Sequence, residues 1–242
     1  MRTISEKLEF LRTCDTSFIG DAFIRLGLGD RIEDYCIPGA SCGPLNRDDR
    51  FAGEALPVRL AAPEPGARTW DLFDLIERAE PGRVFAMCGC GNRCYTGDIY
   101  VKYAALMRMG AFVVDGMVRD VASCALSGLP VFCRGGTTAA KGGGGAKIVA
   151  YGEPVSICGV AVKNGDILVG DADGVIVIPP ELLGDVVYQA EEIKSLEDEY
   201  VEAFGAFDVF AEGVGGCSAG SGDLLAKLRA IAAKKGPRRV RA

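Results

Sequence analysis

The sequence predicts an α/β fold in which a parallel unit and an antiparallel unit share one core, followed by a helical C-terminal extension. Between residues 69 and 135, apolar runs of strand length alternate with amphipathic runs of helix length, which is typical of parallel β-α-β units. Between residues 154 and 180 the pattern changes to short strands with tight turns. With 242 residues, 49% of them hydrophobic, the chain is long enough to bury one such core.

The N-terminal part predicts two helices and one strand before the parallel unit begins. The helices are SEKLEFLRT, residues 5–13, and DTSFIGDAFIRLG, residues 15–27. Residues 28–50 are expected to be irregular. The segment FAGEALPVRL, residues 51–60, predicts a strand that Pro57 breaks, because proline cannot donate a hydrogen bond to a neighbouring strand.

The parallel unit begins with an amphipathic helix, residues 69–82. The segment GCGNRCYTG, residues 89–97, is predicted to be a loop, and Asp115-Gly116 a turn. Strands and helices alternate in the order RVFAMC (83–88), DIYVKYAALMRMG (98–110), AFVVDG (111–116), DVASCALSG (120–128) and LPVFCRG (129–135).

The antiparallel unit carries hairpin signals at Asn164-Gly165 and Asp173-Gly174. Before it, the tract 135–147 predicts a glycine-rich loop, which lacks the Gly-Lys-Ser/Thr ending of a phosphate-binding P-loop. A long helix over residues 180–204 and a last helix over residues 223–235 are predicted to follow.

The composition narrows the functional classes. The chain has no histidine, which excludes a Ser-His-Asp triad, histidine-ligated zinc or iron, and imidazole as a general base. A net charge of −6 argues against nucleic acid as the main partner. No apolar stretch is long enough to span a bilayer, so we expect a soluble, cytoplasmic protein with no membrane partner. Ten cysteines are too few for a disulfide scaffold and are expected to be reduced thiols.

The first strand-to-helix crossing of the parallel unit carries a candidate anion site. Gly97 allows the backbone to approach a ligand closely, and the amides of Ile99 and Tyr100 are expected to be free at the positive end of a helix dipole. Arg93, in the preceding loop, could bind a distal carboxylate of a substrate. Such a site suits a carboxylate or a phosphate.

The second crossing supplies Arg119 and Asp120 at the same edge of the sheet, where α/β proteins bind ligands. A guanidinium can bind a carboxylate through two hydrogen bonds, and Asp120 offers a hard oxygen ligand. Asp98, at the start of the first helix, is expected across the same space. Because Mg²⁺ normally keeps several waters and an oxygen-rich substrate, Asp120 as a direct ligand and Asp98 as a water-mediated ligand make a chemically reasonable site.

A 2-oxo acid fits this arrangement, because its carboxylate and keto oxygens can chelate the metal while Arg119 and the helix amides bind the carboxylate. The metal would then stabilise the enolate that remains when the C3–C4 bond breaks. Retro-aldol cleavage and β-decarboxylation share that enolate, so both reactions are candidates.

These residues also resemble a known family. Asp98, twenty intervening residues, and Arg119-Asp120 match the D-x20-R-D signature of the class II pyruvate aldolases typified by 4-hydroxy-4-methyl-2-oxoglutarate/4-carboxy-4-hydroxy-2-oxoadipate aldolase, within the RraA-like family. Further agreement comes from DGMVRDV, SGLPVFCRGGTT and VKNGDILVGDADGVIVIP, the last covering residues 162–179. The resemblance extends over residues 15–195.

The resemblance implies an RraA-like swivelling β/β/α domain over residues 1–195, followed by a C-terminal helical extension and basic tail over residues 196–242. It also implies homotrimers or homohexamers with sites between subunits, and Mg²⁺ or Mn²⁺ as cofactor. In the family, the position of Asp120 is the direct metal ligand, that of Asp98 is the water-mediated ligand, and that of Arg119 binds the substrate. A water near Arg119 and Asp98 would relay the proton.

Other interpretations remain open from the sequence. Asp98 could simply pair with Lys102, and Arg119-Asp120 could be an exposed ion pair with a helix cap. A Schiff-base aldolase would use Lys102 or Lys147 as its nucleophile. A non-catalytic oligomeric regulator, similar to the regulators of RNase E in the same family, is a further alternative. The cysteine-rich run at 88–94 and the segment after 196 depart from the family pattern, which leaves the substrate open.

Overall fold

The structure is a computed structural model that describes residues 2–94, 96–139, 146–205 and 221–234. Eleven strands and seven α-helices are assigned in these residues. The strands are β1 (Cys36–Pro38), β2 (Gly43–Pro44), β3 (Phe51–Ala61), β4 (Val84–Cys94), β5 (Ala111–Val118), β6 (Val131–Gly136), β7 (Lys147–Tyr151), β8 (Val155–Ile157), β9 (Val160–Val162), β10 (Ile167–Asp171) and β11 (Gly174–Ile178). The helices are α1 (Ile4–Arg12), α2 (Thr16–Arg25), α3 (Leu72–Arg78), α4 (Asp98–Leu106), α5 (Val121–Ala125), α6 (Leu183–Gly205) and α7 (Ser221–Lys234).

Nine strands form one mixed sheet in the order β1-β11-β10-β3-β4-β5-β6-β2, with β7 beside β3. The four strands β3 to β6 run parallel, which confirms the predicted β-α-β units. The pairs made by β1, β2, β7, β10 and β11 are antiparallel. Because the end strands β1 and β2 are joined by residues 39–42 alone, the sheet curls until it nearly closes, which protects its edges.

Alternating residues of the central strands fill two separate cores. Phe85 and Phe112 face outward and pack under α3, α4 and α5, whereas Ala86 and Val113 face the inside of the curled sheet. The inside also holds Phe132, whose ring lies edge-on to another phenylalanine ring of β3. A third core joins α1, α2 and α6 to β10 and β11. The predicted α/β class and its antiparallel unit are therefore confirmed.

The prediction that Pro57 breaks its strand is wrong. β3 runs without interruption, and Pro57 keeps its place opposite Ala86 in the parallel pairing with β4. On the other side of β3, the Pro57 carbonyl accepts a hydrogen bond of 2.8 Å from the Gly152 amide. On that side the pairing with β10 ends at Glu54 and the pairing with β7 begins at Val58. Pro57 lies in the gap between these two partner strands, where no N–H is needed for pairing.

Two segments predicted as loop or turn belong to strands. Most of the segment 89–97 continues β4, with shifts of register against β5 on both sides of Gly91. Asp115-Gly116 lies within β5. The glycines mark bulges rather than turns: Gly89 has a φ of +83° and leaves no space for a Cβ, which would lie 1.9 Å from a backbone carbonyl of β3.

Residues 28–50 were expected to be irregular but contain a 3-10 segment (Gly29–Asp34) and the strands β1 and β2. These strands have three and two residues, too few to show a periodic pattern. Asp173-Gly174 closes the β10–β11 hairpin as predicted. Asn164-Gly165 instead links β9 to β10, which belong to different sheets, so that hairpin prediction is wrong.

The C-terminal helices agree with the predicted pattern. A 3-10 turn (Pro180–Leu182) leads into α6, which is continuous across residue 195, and the division of the chain there stays a prediction. α7 packs on α6 through an ion pair of 2.5 Å between Lys234 and Glu199. Within the described residues, no helix combines the length and the apolar composition that crossing a membrane requires. Three predicted segments lie outside the described residues: 140–145 of the glycine-rich tract, 206–220 before α7, and 235–242 of the basic tail.

Candidate active site

A cavity of about 250 Å³ lies where β4 and β5 lead into α4 and α5. Six of the seven residues predicted to form a site line it. The seventh, Arg93, is an exposed residue of β4 and is not part of this lining, although the next residue of β4, Cys94, is. The lining residues are Phe73, Cys94, Thr96, Gly97, Asp98, Ile99, Tyr100, Arg119 and Asp120.

Gly97 lies directly against Arg119 and Asp120 in this cavity. A Cβ placed on Gly97 would lie 2.8 Å from Asp120 Oδ2 and 3.1 Å from Arg119 Cγ. Its φ of −151° is extended backbone that any residue adopts, so glycine is needed here for space and not for conformation. The strand-to-helix turn of α4 therefore lies directly against the Arg119-Asp120 pair.

Arg119 and Asp120 form the charged wall of the cavity. Arg119 Nε lies 3.3 Å from Asp120 Oδ2, and the two side chains are 48% and 43% exposed. An ion pair this exposed contributes at most about 1 kcal/mol to stability. Both groups therefore keep hydrogen-bonding capacity toward a ligand.

Asp120 has a left-handed backbone conformation, with φ 57° and ψ 38°. Few residues other than glycine adopt this region, and such conformations are concentrated at functional sites. Asp120 occupies the N-cap position of α5, yet its side chain makes no capping hydrogen bond. The helix-cap interpretation of this aspartate is therefore wrong, although the ion pair with Arg119 is present.

Asp98 occupies the first turn of α4 and accepts two side-chain hydrogen bonds. Lys102 Nζ lies 2.8 Å from its Oδ2, and Ser123 Oγ donates to the same oxygen over 3.1 Å. The hydrogen bond from Lys102 is the main cause that lowers the pKa of Asp98, with smaller contributions from Ser123 and the Ile99 amide. The carboxylate is therefore ionised at neutral pH, and the pairing with Lys102 that the sequence suggested is present.

The amide of Ile99 helps to lower the pKa of the adjacent Asp98 carboxylate, and its role as an anion donor stays a prediction. Its side chain is 65% exposed at the mouth of the cavity. The ring of Tyr100 packs on that of Phe73, with centroids 4.5 Å apart. The cavity thus has one aromatic wall and one charged wall.

Three lining residues, Phe73, Cys94 and Thr96, were not predicted as site residues from the sequence. Thr96 is 1% exposed, and its hydroxyl has no hydrogen-bond partner among the described residues. A buried hydroxyl without a partner is costly, so this atom is a candidate ligand contact. The only feature of the sequence that pointed to Thr96 as a site residue was its position next to Gly97. Phe73 gave none, since an apolar residue on a short amphipathic helix predicts only core.

The oxygen donors of the cavity fit a hard divalent cation that keeps part of its hydration shell. The two aspartates and the unpartnered hydroxyl of Thr96 are all oxygen donors, as Mg²⁺ and Mn²⁺ prefer. In the described part of the chain, no group of three or more Cys, Asp or Glu side chains could hold a metal. Water and substrate oxygens would have to complete the coordination, which is usual for Mg²⁺.

The sequence profile of the RraA-like family, described as Aldolase/RraA, matches residues 16–177. A protein of Halalkalibacterium halodurans named "Putative 4-hydroxy-4-methyl-2-oxoglutarate aldolase" is 35% identical over 158 residues, which cover 64% of this chain and 72% of that protein.

Two solved structures share the fold. An uncharacterized protein from Pseudomonas syringae has a TM-score of 0.73 at 23% identity, covering 86% of this chain and 92% of its own. Streptomyces coelicolor RraAS2, described as an unusual member of the RNase ES inhibitor RraA protein family, has a TM-score of 0.67 at 23% identity, covering 81% of this chain and 97% of its own. Because the matching profile spans more than half of the chain, the chain belongs to the RraA-like family.

Proposed function

We propose that this protein is a divalent-metal-dependent lyase that cleaves a 4-hydroxy-2-oxo acid to pyruvate and a carbonyl compound by a retro-aldol reaction. The observation that carries the proposal is the position of Arg119 and Asp120 on one wall of a cavity, directly against the side-chain-free surface of Gly97. A guanidinium for the substrate carboxylate thus lies beside a carboxylate for a cation. The aldolase name of the Halalkalibacterium halodurans relative supports the same reaction.

Asp120 is the main ligand for Mg²⁺ or Mn²⁺ in this proposal, and Asp98 contributes through a water. The bound cation supplies a Lewis acid that lowers the energy of the enolate produced by C–C cleavage. Arg119 binds the carboxylate of the 2-oxo acid and fixes its orientation, for which its exposed guanidinium is available. The carboxylate of Asp120 keeps that guanidinium in place.

Arg119 and Asp98 are the residues that we assign to proton transfer. The reaction removes a proton from the C4 hydroxyl and adds one to C3 of the enolate. The low pKa of Asp98 makes it a weak base. We therefore assign Asp98 the role of orienting a water that lies between Asp98 and Arg119, and this water passes the proton on. Decarboxylation of oxaloacetate releases the same enolate and is the expected side activity.

The contacts of the lysines favour this chemistry over a Schiff base. Lys102 is paired with Asp98, and its side chain is 57% exposed. A carboxylate partner stabilises the protonated ammonium, whereas a Schiff-base nucleophile must be neutral. Lys147 is an exposed residue of β7 and does not line the cavity. A role for Arg93, the homotrimer or homohexamer, and the cytoplasmic location stay predictions.

A screen of 4-hydroxy-2-oxo acids in a coupled assay for pyruvate tests the proposal. We expect pyruvate release from at least one of them and from oxaloacetate, loss of both activities in EDTA, and recovery on addition of Mg²⁺ or Mn²⁺. Release that persists in EDTA would contradict the metal-dependent reaction. No release from any substrate, oxaloacetate included, would favour the non-catalytic regulator suggested by the name of the Streptomyces coelicolor neighbour.

A further inference from the structure

A second cavity, of about 380 Å³, shares no lining residue with the first. Its walls come from the segment between β1 and β2, from β5 and β6, and from the turn of the β8–β9 hairpin. The reactive group in this wall is the thiol of Cys158, which is partly exposed. The cavity is lined by Ala40, Ser41, Asp115, Arg134, Cys158 and Gly159.

Cys158 is held in place by several contacts. It takes the first position of the hairpin turn with φ +49°, followed by Gly159 with φ +95°, which is the pattern of a type I′ turn. Its amide donates a hydrogen bond of 3.0 Å to Asp115 Oδ2, and its Sγ lies 3.6 Å from the Ser41 carbonyl oxygen. The turn therefore presents this thiol at a fixed point beside the β1–β2 segment.

Cys42, next to Ser41 in the chain, is fully buried behind Cys158. Its Sγ lies 3.7 Å from the Val114 carbonyl oxygen, and Cys158 packs against the core cluster that contains Cys42. Because Cys158 Sγ also lies against the carbonyl of Ser41, the residue before Cys42, the two thiols are close neighbours although 115 residues separate them in the sequence. One is accessible from the cavity, and the other is not.

The surroundings give the two thiols different acidities. The hydrogen bond from Cys42 lowers the pKa of Cys158, and a hydrogen bond with Arg134 acts in the same direction, against burial and the charge of Asp115. The same contact and burial raise the pKa of Cys42. Arg134 is held there by Asp115, whose Oδ1 lies 2.9 Å from its Nε. Cys158 is therefore the more readily ionised of the two thiols, and the thiolate is the nucleophilic form, while Cys42 keeps its proton.

We propose that Cys158 and Cys42 form a peroxide-reactive dithiol, in which Cys158 is oxidised first and Cys42 then closes a disulfide between the β8–β9 hairpin and the segment that joins the two ends of the sheet. The thiolate of Cys158 attacks one oxygen of hydrogen peroxide, breaks the O–O bond, and becomes a sulfenic acid while the other oxygen leaves as water after protonation. The sulfur of Cys42 then attacks the sulfenic sulfur, an S–S bond forms, and a second water leaves with the proton of Cys42. One peroxide is reduced, and two thiols are oxidised.

The test is peroxide oxidation of the full chain, followed by alkylation and peptide mass spectrometry. Cys36 and Cys88 are internal standards, because they are also half-buried and burial raises their pKa. We expect Cys158 to lose its free thiol at least about tenfold faster than Cys36 or Cys88. Cys42 should lose its free thiol at the same rate as Cys158, and a peptide linked through Cys158 and Cys42 should appear. This measurement needs no variant, so it does not depend on the folding of one.

Variants then assign the two roles. In Cys42→Ser, a dimedone-reactive sulfenic acid should persist at Cys158, whereas Cys158→Ser should leave Cys42 reduced. Cys133→Ser, at a buried cysteine of β6, is the matched control and should form the disulfide as the wild type does. Oxidation of Cys158 no faster than that of Cys88, or a disulfide that joins either cysteine to a different partner, would overturn the proposal.

Discussion

Gly97 lies so close to Asp120 that no side chain fits between them: a Cβ on the glycine would stand 2.8 Å from the Oδ2 atom of the aspartate. The turn before α4 and the turn before α5 therefore pack closely against each other, and they can do so because Gly97 has no side chain. This contact places the Arg119-Asp120 pair against the start of α4 in the lining of the same cavity.

Gly97→Ala should lower kcat/KM by about 10- to 100-fold, because the added methyl group must displace the Asp120 carboxylate by several tenths of an ångström or more. The fold should remain, as measured by circular dichroism and thermal unfolding. Gly20→Ala is the matched control: it lies in α2, where a Cβ meets nothing within 4 Å. It should leave kcat/KM unchanged and stabilise the helix by about 0.5–1 kcal/mol. Equal activity of both variants would disprove the role of the close contact.

Arg119→Ala should lower kcat/KM by about 10- to 200-fold, since a charged hydrogen bond to the substrate contributes about 1.5–3 kcal/mol. Steady-state kinetics of pyruvate release measure this. Arg31→Ala removes an arginine from another exposed ion pair, with Asp34, and should have no effect. An effect of Arg119→Ala below threefold would mean that its guanidinium does not bind the substrate.

Lys102→Arg separates the metal-dependent reaction from the Schiff-base alternative. Arginine can keep the ion pair with Asp98 but cannot form an imine, so we expect kcat to stay within about threefold of the wild type. Borohydride added with pyruvate should cause no mass increase in the wild-type protein. Irreversible trapping of pyruvate on a lysine, together with loss of activity in Lys102→Arg, would support the Schiff base.

Asp171→Asn should destabilise the fold by about 1–3 kcal/mol without a direct effect on the cavity. The Asp171 carboxylate is 4% exposed and accepts hydrogen bonds from the Thr16 amide at 2.8 Å and the Thr16 hydroxyl at 2.7 Å, which join α2 to the β10–β11 hairpin. Urea denaturation measures the change in the free energy of unfolding. Asp30→Asn, at an exposed aspartate, should change it by less than about 0.5 kcal/mol, and equal effects of both substitutions would contradict this role.

The approach of Asp98 to Arg119 and Asp120 could be predicted from the sequence, because the carboxyl ends of neighbouring parallel strands lie at one edge of a sheet. Arg93 could not be placed in the same way. Its position depended on a loop after residue 88, whereas bulges continue β4 through that segment. Glycine has the same sequence signature in a bulge as in a turn, so the pattern alone does not distinguish them.

Contacts between distant segments gave no signal in the sequence. β1 and β2 are too short for a periodic pattern and are held by partners far along the chain. The proximity of Cys42 to Cys158 depends on the same closure of the sheet and on the β8–β9 turn. The unpartnered hydroxyl of Thr96 likewise results from tertiary packing, because burial of a polar atom depends on its neighbours in space.

Under the proposed function, one aspartate anchors a cation in the cavity that receives a 2-oxo acid. Electron paramagnetic resonance of Mn²⁺ titrated with the protein, with and without pyruvate, tests this directly in the wild type and in Asp120→Asn. We expect that the wild type binds Mn²⁺, that pyruvate strengthens the binding, and that Asp120→Asn abolishes both effects while it remains folded. Mn²⁺ binding of equal strength in the variant, or no response of the bound Mn²⁺ to pyruvate, would contradict it.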